Sequence, residues 1–390
     1  MKTTHQMTVR AACIFIAAAS IIVIGVQPIF IGLLTERLAL TLVQQSWVMS
    51  AEMCGSIVGT LLCLPMIRRL GARSIGLSTG LLLFLSNFFT ASVLQFDHLM
   101  ALRLVSGVCA GVLYSYAIYC LGRMSGPDRS YGILLFVQTA LFAFSAVVMP
   151  MVAERWGFYW AIGFLTGWYA LVCLACLCLP ARQVDEVVPA RTGGHLSGLT
   201  IIGVCSLAGM LLLQLSIYSL WGFVEGIGSD AGIAPVDIGW AISMGLLGGL
   251  PGAALPSLLG RRLGRVPMIL AGSLIVLVSI FMLAYRIHDT VDLALAVFLM
   301  NLGWNLALSY YMSSVVTHDP QGRLTRLVGV VQVSAAAAAP TLLALFMQED
   351  GRQSIFVLSA ATIMLGGVLM LVMLALTRKH AGDSSLGTSS

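Results

Sequence analysis

The 390-residue chain is 59% hydrophobic and only 9% charged, where a soluble globular protein carries about 45–50% apolar and about 25% charged residues. Its net charge is +5, but the basic residues sit in short clusters between apolar runs. That pattern excludes a soluble domain and a nucleic-acid surface, and makes a bilayer the main solvent.

A membrane span needs about 20 mostly apolar residues. In chain order such stretches are expected at 11–34, 45–67, 74–94, 98–121, 131–153 and 158–180. Six more follow at 198–224, 238–259, 266–285, 291–314, 327–347 and 354–376. Lys2 and Arg10 ahead of an apolar run have the outline of a signal peptide. The run continues through Gln27-Pro28 to Leu34, which is long for a signal, so a retained first helix is expected. The fold expected is an all-α integral membrane protein of twelve transmembrane helices in two pseudo-symmetric six-helix bundles. The bundles would be residues 1–180 and 198–376, joined by a cytoplasmic linker at 181–197, with a disordered cytoplasmic tail at 377–390.

Charge placement gives the chain an orientation. With twelve spans, one face carries 16 Lys/Arg, among them Arg68, Arg69, Arg73, Arg261, Arg262 and Arg265, and the other carries Arg37, Arg155, Arg286 and Arg352. Cytoplasmic loops are the Lys/Arg-rich ones, so both termini are expected in the cytoplasm. The chain also repeats. An offset of 193 carries Trp47, Gly55, Gly59, Arg68, Arg69, Leu70 and Gly71 onto Trp240, Gly248, Gly252, Arg261, Arg262, Leu263 and Gly264; an offset of 194 carries Gln138 onto Gln332. A parallel repeat of two six-span halves is one of the plans used by secondary transporters, whose substrate site lies near mid-membrane between the repeats.

At this point the residues resemble the major facilitator superfamily over essentially the whole chain. The basic loops Arg68-Arg69-Leu70-Gly71-Ala72-Arg73 and Arg261-Arg262-Leu263-Gly264-Arg265 look like that family's loop signature. Leu99, Arg103, Gly107 and Gly111, four apart in the fourth span, look like its arginine-bearing signature. Two features depart from the family: the position just before the loop's first basic residue, usually acidic in the family, is Arg68 in one loop and Arg261 in the other, and the fifth span has Pro150 but no Gly-Pro pair. The resemblance implies a transporter that works by rocking its halves, with the first, fourth, seventh and tenth spans around a central site. The basic loop residues Arg68, Arg69, Gly71, Arg73, Arg261, Arg262, Gly264 and Arg265 would then serve gating.

Ionisable residues inside spans are few: Glu52, Arg103 and, near a boundary, Glu225. A charge at the bilayer centre costs at least about 2.5–3.5 kcal/mol, so such groups face a cavity or a partner. Glu52 and Arg103 lie at similar depths, which leaves two readings open, a packing salt bridge and a proton-coupling pair. Gln214, Tyr218, Trp221 and Glu225 fall on one helical face of the seventh span, readable as cavity lining or, for the aromatics, as an interfacial belt. Asn301, Trp304 and Asn305 in the tenth span suit either a polar organic solute or interhelical hydrogen bonds. Gln27 before Pro28, Tyr114, Gln138 and Gln332 complete the substrate-binding candidates, while Gly55, Gly59, Gly248 and Gly252 read as close-packing residues.

Several function classes are disfavoured. The six histidines lie in loops, tails or span edges and no span holds two acids, so an enzyme is not expected. Nine cysteines all lie in apolar segments, and Cys173, Cys176 and Cys178 read as packing residues with no metal implied. No phosphate-binding Gly-x-x-x-x-Gly-Lys-Ser/Thr loop is present, so ATP is not the direct energy source. No cofactor and no nucleic acid is expected. The partners expected are the lipid bilayer, a small organic solute and protons, for a monomer in the plasma membrane, bacterial inner membrane by this reading. Efflux of a hydrophobic compound and uptake of a weak organic acid both stay open.

Overall fold

The structure is a computed structural model that describes all residues except 1, 123, 125–126, 181–200, 260–262, 319–323, 325–326, 347–351 and 387–390. Regular structure among the described residues is entirely helical. The first half comprises α1 (Lys2–Ser20), α2 (Ile22–Gly25), α3 (Gln27–Leu38), α4 (Leu42–Arg69), α5 (Ala72–Thr90), α6 (Phe96–Gly122), α7 (Pro127–Trp156) and α8 (Phe158–Cys176). The second comprises α9 (Ile201–Trp221), α10 (Val224–Asp230), α11 (Pro235–Leu246), α12 (Gly249–Leu259), α13 (Arg265–Tyr285), α14 (Thr290–Thr317), α15 (Leu327–Phe346) and α16 (Gln353–Leu386).

Ten of the described helical stretches are long and apolar enough to cross a membrane, and shorter apolar helices cover Gln6–Ser20 and Val330–Leu345. The shorter two fall where the first and eleventh spans are expected, so all twelve apolar spans have a helical counterpart. Their bounds lie close to the expected ones because span length is dictated by bilayer thickness and the turns carry local signals. Thr41 and Gln44 form a reciprocal capping box at the start of α4, and the Asp289 side chain accepts from the Asp292 amide at the start of α14.

Three expected spans are interrupted. The first breaks at Ile21 and again at Val26, with Pro28 in the opening turn of α3. Proline has no amide hydrogen and cannot continue the preceding ladder. The seventh breaks at Gly222 and the eighth at Leu247–Gly248, both glycine sites. At the chain's end α16 runs to Leu386, into the stretch expected to be disordered, because no proline interrupts it and an established helix propagates at low cost. The expected linker at 181–197 lies outside the described residues.

The chain divides into two compact units, each taking segments from both halves. The first is residues 1–192 with 222–243 and 340–350; the second is 193–221, 244–339 and 351–390.

In the first unit α4 and α6 are interlocked by glycine. A methyl group at Gly55 would meet the Leu104 carbonyl, at Gly59 that of Val108, at Gly107 that of Glu52, and at Gly111 that of Ser56. Such backbone contact is what small residues four apart permit between membrane helices. The second unit repeats the device: Gly248 faces the Phe298 carbonyl and Gly252 that of Leu302, joining α12 and its leading turn to α14.

Candidate functional site

The α4–α6 interlock sets the stage for the buried charges of the first unit. Arg103 is wholly buried and Glu52 is 6% exposed, and Arg103 Nη1 lies 3.9 Å from Glu52 Oε2. That separation is longer than the 2.7–2.9 Å of a charge-assisted hydrogen bond. The guanidinium is instead held mainly by neutral acceptors on α5. Nη1 donates to Asn87 Oδ1 at 3.0 Å, and Nη2 to Thr90 Oγ1 at 2.5 Å and the Ser86 carbonyl at 3.5 Å. Its Nε has no hydrogen-bond partner among the described residues.

Asn87 also links the two charges by a second route. Its Nδ2 donates to Ser106 Oγ at 3.2 Å, and the Ser106 hydroxyl donates to Glu52 Oε1 at 3.4 Å. Above the pair, the Phe30 ring of α3 lies 5.1 Å from the Arg103 guanidinium carbon, a cation–π contact. Tyr169 of α8, 1% exposed, interacts with both charges, and its hydroxyl meets the backbone at Val23 in the broken first span.

The second half handles this contact differently. The α4 offset of 193 puts Glu52 on Gly245; the α6 offset of 194, fixed by the matched glycine contacts of Val108 and Leu302, puts Arg103 on Val297. Gly245 and Val297 do pack together in the second unit, where a methyl group at Gly245 would meet the Val297 side chain. One copy of the repeat thus holds an apolar contact where the other holds a buried ion pair. By the same offset Asn301 and Asn305 stand where Gly107 and Gly111 do.

A second polar cluster lies in the second unit. Trp304 Nε1 donates to Gln214 Oε1 at 2.6 Å, and the Tyr218 ring meets Trp304 edge-on at 6.0 Å. Gln214 is 1% exposed. Asn301 and Asn305 direct their amides to their own helix, donating to the Val297 and Asn301 carbonyls at 2.9 Å. The face expected to run from Gln214 to Glu225 ends at Trp221, which is buried, because the chain breaks at Gly222 and Glu225 sits on α10. There the Glu225 carboxylate packs against Gly32 of α3, within the first unit.

The remaining candidates are dispersed. Gln27 is 3% exposed. Tyr114 is half-buried beside fully buried Tyr116. Gln138 Oε1 is buried with no hydrogen-bond partner among the described residues, and Gln332 Nε2 reaches Met312 Sδ at 3.7 Å. Of the basic loops, Arg73 ties the start of α5 to the end of the sixth span through the Leu179 carbonyl at 3.0 Å. Arg265 reaches Thr317 Oγ1 at 2.6 Å. Gly71 and Gly264 precede α5 and α13, and Gly264 has φ +78°, a conformation that favours glycine. Arg69 closes α4 and is exposed; the Arg68 side chain lies outside the description, and Arg261 and Arg262 lie outside the described residues.

Sequence reasoning did not single out Ser86, Asn87, Thr90, Ser106, Phe30 or Tyr169. Asn87 carried a usable signal, being one of three asparagines in the chain and lying within an apolar span. No group of three or more His, Cys, Asp or Glu side chains suited to a metal occurs among the described residues.

A sequence model of the Major Facilitator Superfamily matches residues 11–334. The chain belongs to the Major Facilitator Superfamily. Comparison with curated proteins gives no match. Among solved structures, a nucleoside transporter, NupG, superposes with a TM-score of 0.69 at 12% identity, covering 95% of this chain and 99% of that one. A mutant of the peptide transporter POT gives 0.73 at 14% identity, covering 95% and 94%. At such identities the likeness shows the fold. Family and fold together make this chain a multi-pass membrane transporter, not an enzyme.

Proposed function

We propose that this facilitator-family chain is a secondary active transporter that moves a small organic solute by alternating access and couples that movement to protons through Glu52 and Arg103. The observation that carries the coupling is the asymmetry of the repeat. The same helix contact is closed by Gly245 and Val297 in one half and by Glu52 and Arg103 in the other, so packing alone does not call for a charge there. Replacing a buried ion pair by well-packed apolar groups is often neutral or stabilising, which makes an ion pair kept for stability alone a poor account.

The geometry suits a reversible protonation. Arg103 rests on Asn87, Thr90 and the Ser86 carbonyl, so it keeps acceptors when Glu52 takes up a proton. Neutral Glu52 no longer attracts the guanidinium, and Arg103 becomes able to shift toward Phe30 or toward an anionic group of the solute. Gln214, Tyr218 and Trp304 form the solute contact in this reading, with Asn301 and Asn305 beside them. Gln27, Tyr114, Gln138, Trp221, Glu225 and Gln332 remain secondary candidates. The chemistry is largely apolar with a few amides and an indole, which favours efflux of a hydrophobic compound over uptake of a weak organic acid. The similar solved structures are those of a nucleoside transporter and a peptide transporter; neither class is adopted for this chain. A monomer in the plasma membrane of a bacterium with cytoplasmic termini completes the proposal.

The test is solute-dependent proton flux in proteoliposomes holding the full chain under an imposed pH gradient. Wild type is expected to move protons with solute. Glu52→Gln is expected to retain folding, lose the proton flux and flatten the pH dependence of solute movement. Unchanged flux and pH dependence in Glu52→Gln would rule out the coupling role.

A further inference from the structure

Buried thiols gather in the first unit, at the end of its helices that carries the basic loops. There α1 packs against α6 and α8, and the Cys120 thiol, in the last turn of α6, meets that of Cys13 on α1. Cys63 of α4 and Cys176 of α8 stand close by. All four are free and buried. The side chains that act on Cys13 and on nearby Tyr116 are thiols, with no carboxylate among them.

Tyr116 lies one turn before Cys120 on the same helix and is 2% exposed. Its hydroxyl faces the Cys120 sulfur but is not in bonding geometry, and it has no hydrogen-bond partner among the described residues. A buried hydroxyl left unmet costs stability, and a neutral thiol is too weak an acceptor to offset that cost. A thiolate would accept the proton fully. In apolar surroundings, a thiolate in turn needs a cation on it.

We infer that Cys13 and Cys120 form a two-coordinate site for a soft monovalent cation of the copper(I) and silver(I) class, with the Tyr116 hydroxyl donating to the ligating Cys120 sulfur. Sulfur ligands select such ions, whereas magnesium and calcium want oxygen. Structural zinc wants four ligands, and the described residues hold no group of three or more His, Cys, Asp or Glu suited to a metal. Copper(I) is satisfied by two sulfurs in a near-linear arrangement. On binding, the cation displaces one thiol proton and is held by one thiolate and one thiol. The complex is then neutral, as its apolar surroundings require, and the proton leaves past Cys120, which is 8% exposed. Such a bridge ties the first span to α6 short of the breaks at Ile21 and Val26.

The experiment titrates the full chain in detergent with copper(I) supplied as its bathocuproine disulfonate complex under ascorbate, the loss of colour reporting transfer. The background carries Cys54→Ser, Cys173→Ser, Cys178→Ser and Cys205→Ser, which removes the thiols that are exposed or half-buried. One copper per chain is expected, with two sulfurs around it by X-ray absorption. Cys13→Ser and Cys120→Ser should each weaken binding by more than the roughly hundredfold that outer-shell partners reach, and Tyr116→Phe by about tenfold. Cys109 lies deep on the same helix with no thiol acting on it among the described residues, so Cys109→Ser should leave binding unchanged. No copper uptake, or uptake indifferent to Cys13→Ser, Cys120→Ser or Tyr116→Phe, would overturn the inference. So would an equal loss in Cys109→Ser, or three or more sulfurs around the metal. Where a serine substitution unfolds the chain, alanine, which brings no buried hydroxyl, replaces it in the same comparison.

Discussion

Arg103 is tightly constrained: a fully buried cation with one distant counter-charge and three neutral acceptors among the described residues. Removing one partner of a buried pair typically costs about 3–5 kcal/mol, because the other charge is stranded. Arg103→Ala is therefore expected to lower the thermal midpoint in detergent markedly and to reduce membrane yield. Asn87→Leu should cost less, about 1–3 kcal/mol for the unmet hydrogen bonds, while disturbing transport more than its stability effect implies, since Asn87 bridges both charges. Parallel thermal and transport measurements separate the two effects. At this scale the sequence was half legible. An acid and a base stranded in apolar spans stand out wherever they occur, but the α5 acceptors do not, since serine and threonine are common in membrane helices. The second cluster shows the same limit: Gln214 and Trp304 are visible as polar positions, yet their 2.6 Å bond joins two helices distant in sequence.

At the scale of elements, the α4–α6 contact depends on four glycines that meet carbonyl oxygens. Gly107→Leu is expected to force these helices apart and abolish folded protein in a detergent thermal scan. Gly163 and Gly167 of α8 meet nothing within 4 Å; alanine there should leave the midpoint unchanged or raise it, by up to about 1 kcal/mol each from helix propensity. A large loss at Gly163 would mean that the exposed side of α8 is covered in the native membrane. Span positions were legible because hydropathy and bilayer thickness fix them. The breaks at Ile21, Val26, Gly222 and Gly248 were only partly so. Pro28 announced the one at Val26, but a glycine in an apolar run marks either a break or a close contact, and Gly248 serves as both. The face from Gln214 to Glu225 failed for this reason, since its regular spacing crosses Gly222, where the helix stops.

For the molecule as a whole, the repeat supplies its own control. The double variant Glu52→Gly with Arg103→Val copies the contact that the second half already uses, and it is expected to fold with a thermal midpoint close to wild type. Solute movement in proteoliposomes should then persist at most as uncoupled exchange, with no dependence on the pH gradient. If gradient-driven accumulation survived, the pair would be a packing feature and the proton path would lie elsewhere.

The glycine interlock has a mechanical consequence. Helices in backbone contact along two turns cannot slide past each other without steric clash, so α4 and α6 move as one rod. A change of charge at Glu52 then has no outlet within that rod. The compliant neighbour is the first span, already broken at Ile21 and Val26, which touches the pair through Phe30 and through Tyr169 at Val23. Amide hydrogen exchange should find residues 21–26 opening far more readily than the α4–α6 core, and Glu52→Gln should alter exchange at 21–26 while leaving α4 and α6 protected. The stiffness of one helix pair would thus decide where the strain of a protonation event is released.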